Sequence, residues 1–153
     1  MANTTSLLDA ILKKLPGDPL LREFAEQFLQ GASVRMLEVL GTAALQSLVQ
    51  GRFAFFQEAV AQGGALRVQP KVDDPDDPDS TGSGRLLIDV VSRDTPFQVV
   101  TLECLLRKLD LHILRRLHPM MMVECDAEGK PTKVSAPQLG SGLYSVIHLE
   151  IEG

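Results

Sequence analysis

The chain has 153 residues, of which 44% are hydrophobic and 23% charged, with a formal net charge of −5. This size and apolar share fit one folded domain, or one domain with an appendage. The acidic balance argues against general nucleic-acid binding, which needs a basic face to displace counterions, and no run approaches the roughly 18 apolar residues of a membrane span.

The opening stretch MANTTSLLDAILKKL lacks the basic start and long apolar run of a secretory signal. With no export signal, and with Cys104 and Cys125 far apart, a cytoplasmic protein with reduced thiols is expected. The first 64 residues read as helices. Ser6 can cap the first, with Leu7, Leu8, Ile11, Leu12 and Leu15 on one face. PGDP ends it, and Asp18 caps a second helix with Pro19 at its first position. Leu20, Leu21, Phe24, Ala25, Phe28 and Leu29 form the second apolar face. Ser33 can cap a short third helix. A longer one starts after Gly41, carries Leu45, Leu48, Val49, Phe53, Phe56 and Val60, and stops at Gly63 and Gly64.

From Ala65 the hydrophobic period changes. ALRVQP reads as a short strand. KVDDPDDPDSTGSG, at 71–84, carries five Asp, two Pro and two Gly and reads as a mobile, solvated loop. RLLIDVVSRD alternates: Leu86, Ile88 and Val90 face one way, Leu87, Asp89 and Val91 the other. A helix follows with Leu102, Leu105, Leu106 and Leu109 spaced as one face, and Cys104 within it reads as core. HILRRLHPMMMVEC reads as a strand or strand pair interrupted by Pro119, which cannot donate to a ladder and so implies an edge or bulge. DAEGK is a turn. YSVIHLEIE ends the chain with Ile147, Leu149 and Ile151 on one face and Val146, His148 and Glu150 on the other. The second half thus reads strand–helix–strand–strand. A further helix and strand would complete a split βαβ sandwich, so the chain reads as a fragment with an open sheet edge suited to pairing.

Several motifs are set aside. An EF-hand-type calcium loop begun at Asp77 would need a carboxylate at its twelfth position, where Ile88 stands. STGSGR lacks the Lys-Ser/Thr ending of a phosphate loop and precedes a strand, not a helix. His112, His118 and His148 lack close carboxylate or thiolate partners and read as ordinary strand residues, so no metal is expected. Arg115 and Arg116 could meet an anion, although one solvated and one covering the sheet is the commoner arrangement. No nucleophile elbow or dinucleotide motif occurs, so neither catalytic nor cofactor-binding residues are assigned.

SRDTPFQVV, between the clearest strand and the next helix, is the strongest site candidate, because a helix N-terminus presents free N–H groups. The stretch IDVVSRDTPFQVVTLECLLRKLDLHILRRLHPMMMVECDAEGK resembles the N-terminal region of the large NAD-specific glutamate dehydrogenases of bacteria. Asp94, Pro96, Phe97, His118, Pro119 and Gly129 stand at matching places. REFAEQF and RFAFFQEAVAQGGALRVQP are similar to the region's helical lead-in and first strand, so the resemblance runs from Arg22 to Gly153. Two departures mark a divergent member or a related stand-alone domain. Arg93 stands where the family tends to have Asn, and the helix opens QVVTLECLL where the family favours an acidic residue and a serine.

The resemblance implies an α+β fold. A helical segment at 1–64 precedes an antiparallel, ACT-like (ferredoxin-like βαββ) domain at 65–153, truncated after its third core strand. It implies a non-catalytic regulatory or assembly segment of an enzyme that oxidatively deaminates L-glutamate to 2-oxoglutarate, with NAD bound elsewhere in the parent. Expected partners are other domains and subunits of a homo-oligomer, with a free amino acid as a further candidate. A stand-alone amino-acid-sensing module and a small scaffold protein are the alternatives. Ligand-binding ACT domains usually carry Gly at this turn, which lets a ligand approach the backbone. Here Asp94-Thr95-Pro96-Phe97 stands instead, with Asp94 expected to cap the helix, Pro96 to enter its first turn and Phe97 to pack inward or into a neighbouring domain. A structural turn is favoured; the alternative is an amino-acid site formed by Asp94, Pro96, Phe97, Gln98 and Val99.

Overall fold

The computed structural model describes residues 4–72, 84–140 and 142–153. Most of the acidic stretch at 71–84, and with it the comparison begun at Asp77, lies outside the described residues.

Helix α1 (Thr4–Lys13) begins two residues ahead of Ser6, which therefore lies in the first turn and is not its cap. Helix α2 (Pro19–Leu29) starts as its sequence dictates: Asp18 Oδ1 accepts the Leu20 N–H at 3.0 Å and Pro19 needs no N–H partner. Helix α3 (Val34–Ala61) is capped by Ser33 Oγ, which accepts the Met36 N–H at 3.1 Å. Gly41, at φ 75 and ψ 173, breaks it into the short and long segments expected. Its end is a double hydrogen-bond cap, with Gly64 N–H on Ala59 C=O at 2.8 Å and Gly63 N–H on Val60 C=O at 3.1 Å.

Strands β1 (Ala65–Pro70) and β2 (Arg85–Arg93) precede helix α4 (Gln98–Lys108). Strands β3 (His112–Leu117), β4 (Met120–Cys125), β5 (Pro131–Ser135) and β6 (Leu143–Glu152) follow. All pairings are antiparallel. Strand β6 is central: β2 lies along one side, while β3 and β4 lie end to end along the other. Pro119 is the break between them, and its carbonyl still accepts the Val146 N–H at 3.0 Å. The result is an α+β fold with N-terminal helices followed by an antiparallel sheet.

The sheet holds one strand more than the sequence reading. Strand β5, which pairs with β4, is absent from the sequence reading. It is five residues long and starts at Pro131, a position where a strand tolerates proline, so it carries little alternation to detect. Strand β1, read from ALRVQP, pairs with β2 in register from Ala65 opposite Val91 to Pro70 opposite Leu86 and forms one edge of the sheet.

Strand alternation sends the two sheet faces to different helices. Ile88, Val90, Ile147, Leu149 and Ile151 bury against Leu106 of α4, with Val99 and Leu102 alongside. Leu105 and Leu109, expected on this face, are exposed, and so is Cys104. The face toward α4 therefore follows positions 99, 102 and 106. The opposite face, through Val91, Met121, Val123 and Val146, shares one core with α1, α2 and α3. Phe24 stacks on Phe28 at 5.3 Å and lies 4.8 Å from Phe56, all three fully buried. Each such side chain contributes roughly 1.5–3 kcal/mol by leaving water.

Candidate functional site

The strand–turn–helix segment is where the sequence places it, but its chemistry differs. Asp94 is exposed; its backbone N–H bonds to the Leu143 carbonyl at 2.9 Å, and no side chain caps α4. The cap position belongs to Phe97, which lies in the left-handed region at φ 64, ψ 8. Pro96 thus precedes the helix instead of entering its first turn. The Phe97 ring is 79% exposed, so it does not pack into this domain. Gln98 turns back to Ser92, with Nε2 on Oγ at 2.8 Å, and Val99 packs beneath α4. Nearby, His118 Nε2 lies 2.8 Å from Ser145 Oγ. Burial, then the Arg116 charge, lowers the His118 pKa against the pull of Asp94 and Glu103. Arg116 itself pairs with Glu103.

A second cluster lies on the opposite face of the sheet. Asp89 of β2 and His148 of β6 are cross-strand partners, 2% and 3% exposed. His148 Nδ1 lies 2.7 Å from Asp89 Oδ1. The carboxylate can only accept, so the imidazole proton sits on Nδ1. Two guanidinium groups share the other carboxylate oxygen: Arg52 of α3 at 3.4 Å and Arg67 of β1 at 3.1 Å. Arg67 also lies over the Phe55 ring, 4.4 Å from its centroid. Two positions along β6, Glu150 receives Lys71 at 2.8 Å, Arg85 at 3.0 Å and Arg115 at 3.1 Å. The adjacent arginines therefore divide: Arg115 reaches buried Glu150, and the more exposed Arg116 reaches α4.

The protonation states follow from burial and charge. Burial pushes the His148 pKa down, and its hydrogen bond to Asp89 only partly opposes this, so the ring is neutral. Burial alone would raise the Asp89 pKa; the hydrogen bond to His148 and the Arg52 charge outweigh it and hold the carboxyl below its ordinary value. The Arg52 pKa is lowered, first by burial and further by Arg67, with Asp89 opposing.

The cluster forms one wall of a cleft of about 610 Å³ between α3 and the sheet. Arg52, Lys71, Arg115, His148 and Glu150 supply its polar side. Met36 and Leu40, before the Gly41 break, join Ala44 and Leu48 after it on the apolar side. Sequence reading missed this site because its members come from α3, four strands and the residue after β1. The available signal was a His and a Glu alternating with Val146 on one face of β6, where a solvated face would not hold valine.

Residues 24–153 match the family described as glutamate dehydrogenase, ACT1 domain. The chain belongs to this family. The match covers most of α2 and everything after it, close to the span of the resemblance read from the sequence, and it supports an ACT-type domain of an oxidoreductase. No curated protein and no solved structure matches the chain. Among the described residues, no helix is long and apolar enough to cross a membrane. Nor do the described residues hold a group of three or more His, Cys, Asp or Glu placed for a metal ion.

Proposed function

We propose that this glutamate dehydrogenase ACT1 domain is a non-catalytic regulatory and assembly domain. Its parent would be a large NAD-dependent enzyme that deaminates L-glutamate to 2-oxoglutarate in the cytoplasm. The family match supplies the parent enzyme class. The observation that carries the assembly role is Phe97: a large apolar ring, 79% exposed, on a residue held in the left-handed region at a helix start. Neither exposure nor that backbone favours phenylalanine within this domain alone, whereas burial against another domain or subunit would.

The test compares the full-length parent enzyme with its Phe97→Asp variant. Sedimentation should show a smaller assembly, or a weakened one, with the domain still folded. An unchanged assembly with unchanged activity and effector response would overturn the assembly role. The isolated chain should show no NAD-dependent glutamate oxidation.

A further inference from the structure

We propose that the outer face of α4 pairs, antiparallel, with the same face of a second copy of this chain. This rests on the assembly reading of Phe97 and names its partner. The helix is apolar on both sides. Val99, Leu102 and Leu106 cover the sheet. On the outer side Val100, Leu105 and Leu109 are 56%, 51% and 59% exposed, and Cys104 is exposed among them. At about 3.6 residues per turn these four fall on two adjacent rows, Val100 to Cys104 and Leu105 to Leu109. Phe97 stands at the head of both rows, and Thr101 and Lys108 are the polar residues within them. A helix face meant for water alone would carry polar side chains at these places.

Two features select a second copy over an unrelated partner. The first is charge. Exposed Asp94 lies just ahead of the helix, and exposed Arg107 and Lys108 form its last turn. None of the three makes an ion pair among the described residues. An antiparallel copy sets the acidic start of each helix beside the basic end of the other, twice by symmetry. A parallel copy would set like charges together. The second feature is spacing. With the two-fold axis level with residue 103, Phe97 comes opposite Leu109 of the second copy, and Val100 opposite its Leu105. Each apolar side chain of the face then meets another. Glu103, which would otherwise meet its own copy at the axis, is turned aside onto Arg116. The face offers on the order of a few hundred Å², less than a standard interface. The isolated chain therefore pairs weakly, with a Kd on the order of 0.1–1 mM, and the parent enzyme would strengthen the contact by holding copies together.

The same register brings the two Cys104 residues together across the axis. Helices packed about 8–10 Å apart, with Cα atoms about 2.3 Å from each axis, leave these two Cα atoms about 4.5–6 Å apart, within disulfide reach. The experiment oxidises the purified Cys125→Ser chain with copper phenanthroline at about 0.5 mM protein. The disulfide-linked dimer is followed on a non-reducing gel. Cys104 should link, and Phe97→Asp should slow the linkage about tenfold with the same thiol present and the domain still folded. Arg107→Glu combined with Lys108→Glu should slow it too. Adding Asp94→Lys to that pair should restore the rate, which damage to the helix end would not allow. Absence of linkage in the folded chain would overturn the proposal. Linkage unmoved by Phe97→Asp would do so too, as would a charge reversal that Asp94→Lys fails to rescue. If Phe97→Asp breaks the parent assembly while Cys104 never links, the ring docks on a different domain: the pairing fails and the assembly reading stands. If Cys104 links as expected and the parent assembly ignores Phe97→Asp, the pairing stands and the assembly reading fails.

Discussion

Asp89 and His148 face each other across the β2–β6 ladder, joined at 2.7 Å, and Asp89 is also the shared anchor of Arg52 and Arg67. One carboxylate therefore fixes a histidine tautomer and neutralises part of a buried cationic pair. Removing it strands charge inside the protein, which costs far more than the pair contributes when intact. Asp89→Ala should destabilise the domain by about 3–5 kcal/mol in urea unfolding. Asp89→Asn, whose amide oxygen can still accept a hydrogen bond from the His148 Nδ1–H, should cost less. A loss below about 1 kcal/mol for the alanine variant would show that water reaches Arg52 freely.

Acid should weaken the fold in two separate windows. His148 and His118 both have lowered pKa values, so the unfolded chain binds their protons first as pH falls below about 6.5. Stability should therefore begin to drop as pH falls through about 6.5, above the ordinary carboxylate range. Asp89 acts later. Its depressed pKa stabilises the fold above the ordinary Asp value, and that contribution is lost only as pH falls through the folded pKa. The groups facing His148 are Arg52 on α3, Asp89 on β2 and Glu150 on its own strand. His148→Gln should flatten the first window in thermal melts taken across it, leaving the slope due to His118. An unchanged slope would place the titration elsewhere.

The sequence carried the elements better than their contacts. Periodicity placed β2 and β6 with the correct faces, because each has one wholly apolar face. It misjudged α4, where Leu105 and Leu109 match helical spacing yet remain exposed, since α4 alone among the described helices covers that side of the sheet and a narrow stripe suffices. Cap chemistry predicted Asp18 and Ser33 correctly, as both act on backbone two or three residues ahead. Asp94 failed by the same logic: the chain turns through Pro96 and Phe97 and the helix starts four residues later, at Gln98. The cleft was illegible for a different reason. Arg52 and His148 lie 96 positions apart, and only the register that pairs Asp89 with His148 brings them together.

Phe97 separates stability from function. At φ 64 a phenylalanine is strained, and its exposed ring recovers little by burial in this domain. Phe97→Gly should raise the stability of the isolated chain by up to about 1 kcal/mol, the left-handed penalty less part of the entropy cost of glycine. The same variant should weaken assembly of the parent enzyme. A gain in stability with no effect on assembly would leave the ring without a role. A loss of stability would show that the ring packs within the domain in solution.

Gly41 should matter as much for the cleft as for the fold. Its φ 75, ψ 173 lies in a region open essentially to glycine alone, and a Cβ there would meet nothing within 4 Å. The penalty for Gly41→Ala is thus conformational, about 1–3 kcal/mol, with no clash to relieve. Gly51, later in the same helix, also has free space for a Cβ but carries no positive φ, so Gly51→Ala should stabilise by about 0.5–1 kcal/mol. The two variants make a matched pair within one helix. Because Met36 and Leu40 reach the cleft from before the break and Leu48 and Arg52 from after it, Gly41→Ala should also shift the Met36 methyl resonance in NMR spectra, while Gly51→Ala leaves it unchanged. An unmoved resonance in both would mean that the helix keeps its break without glycine, and that the sheet, not the backbone at Gly41, holds the two segments apart.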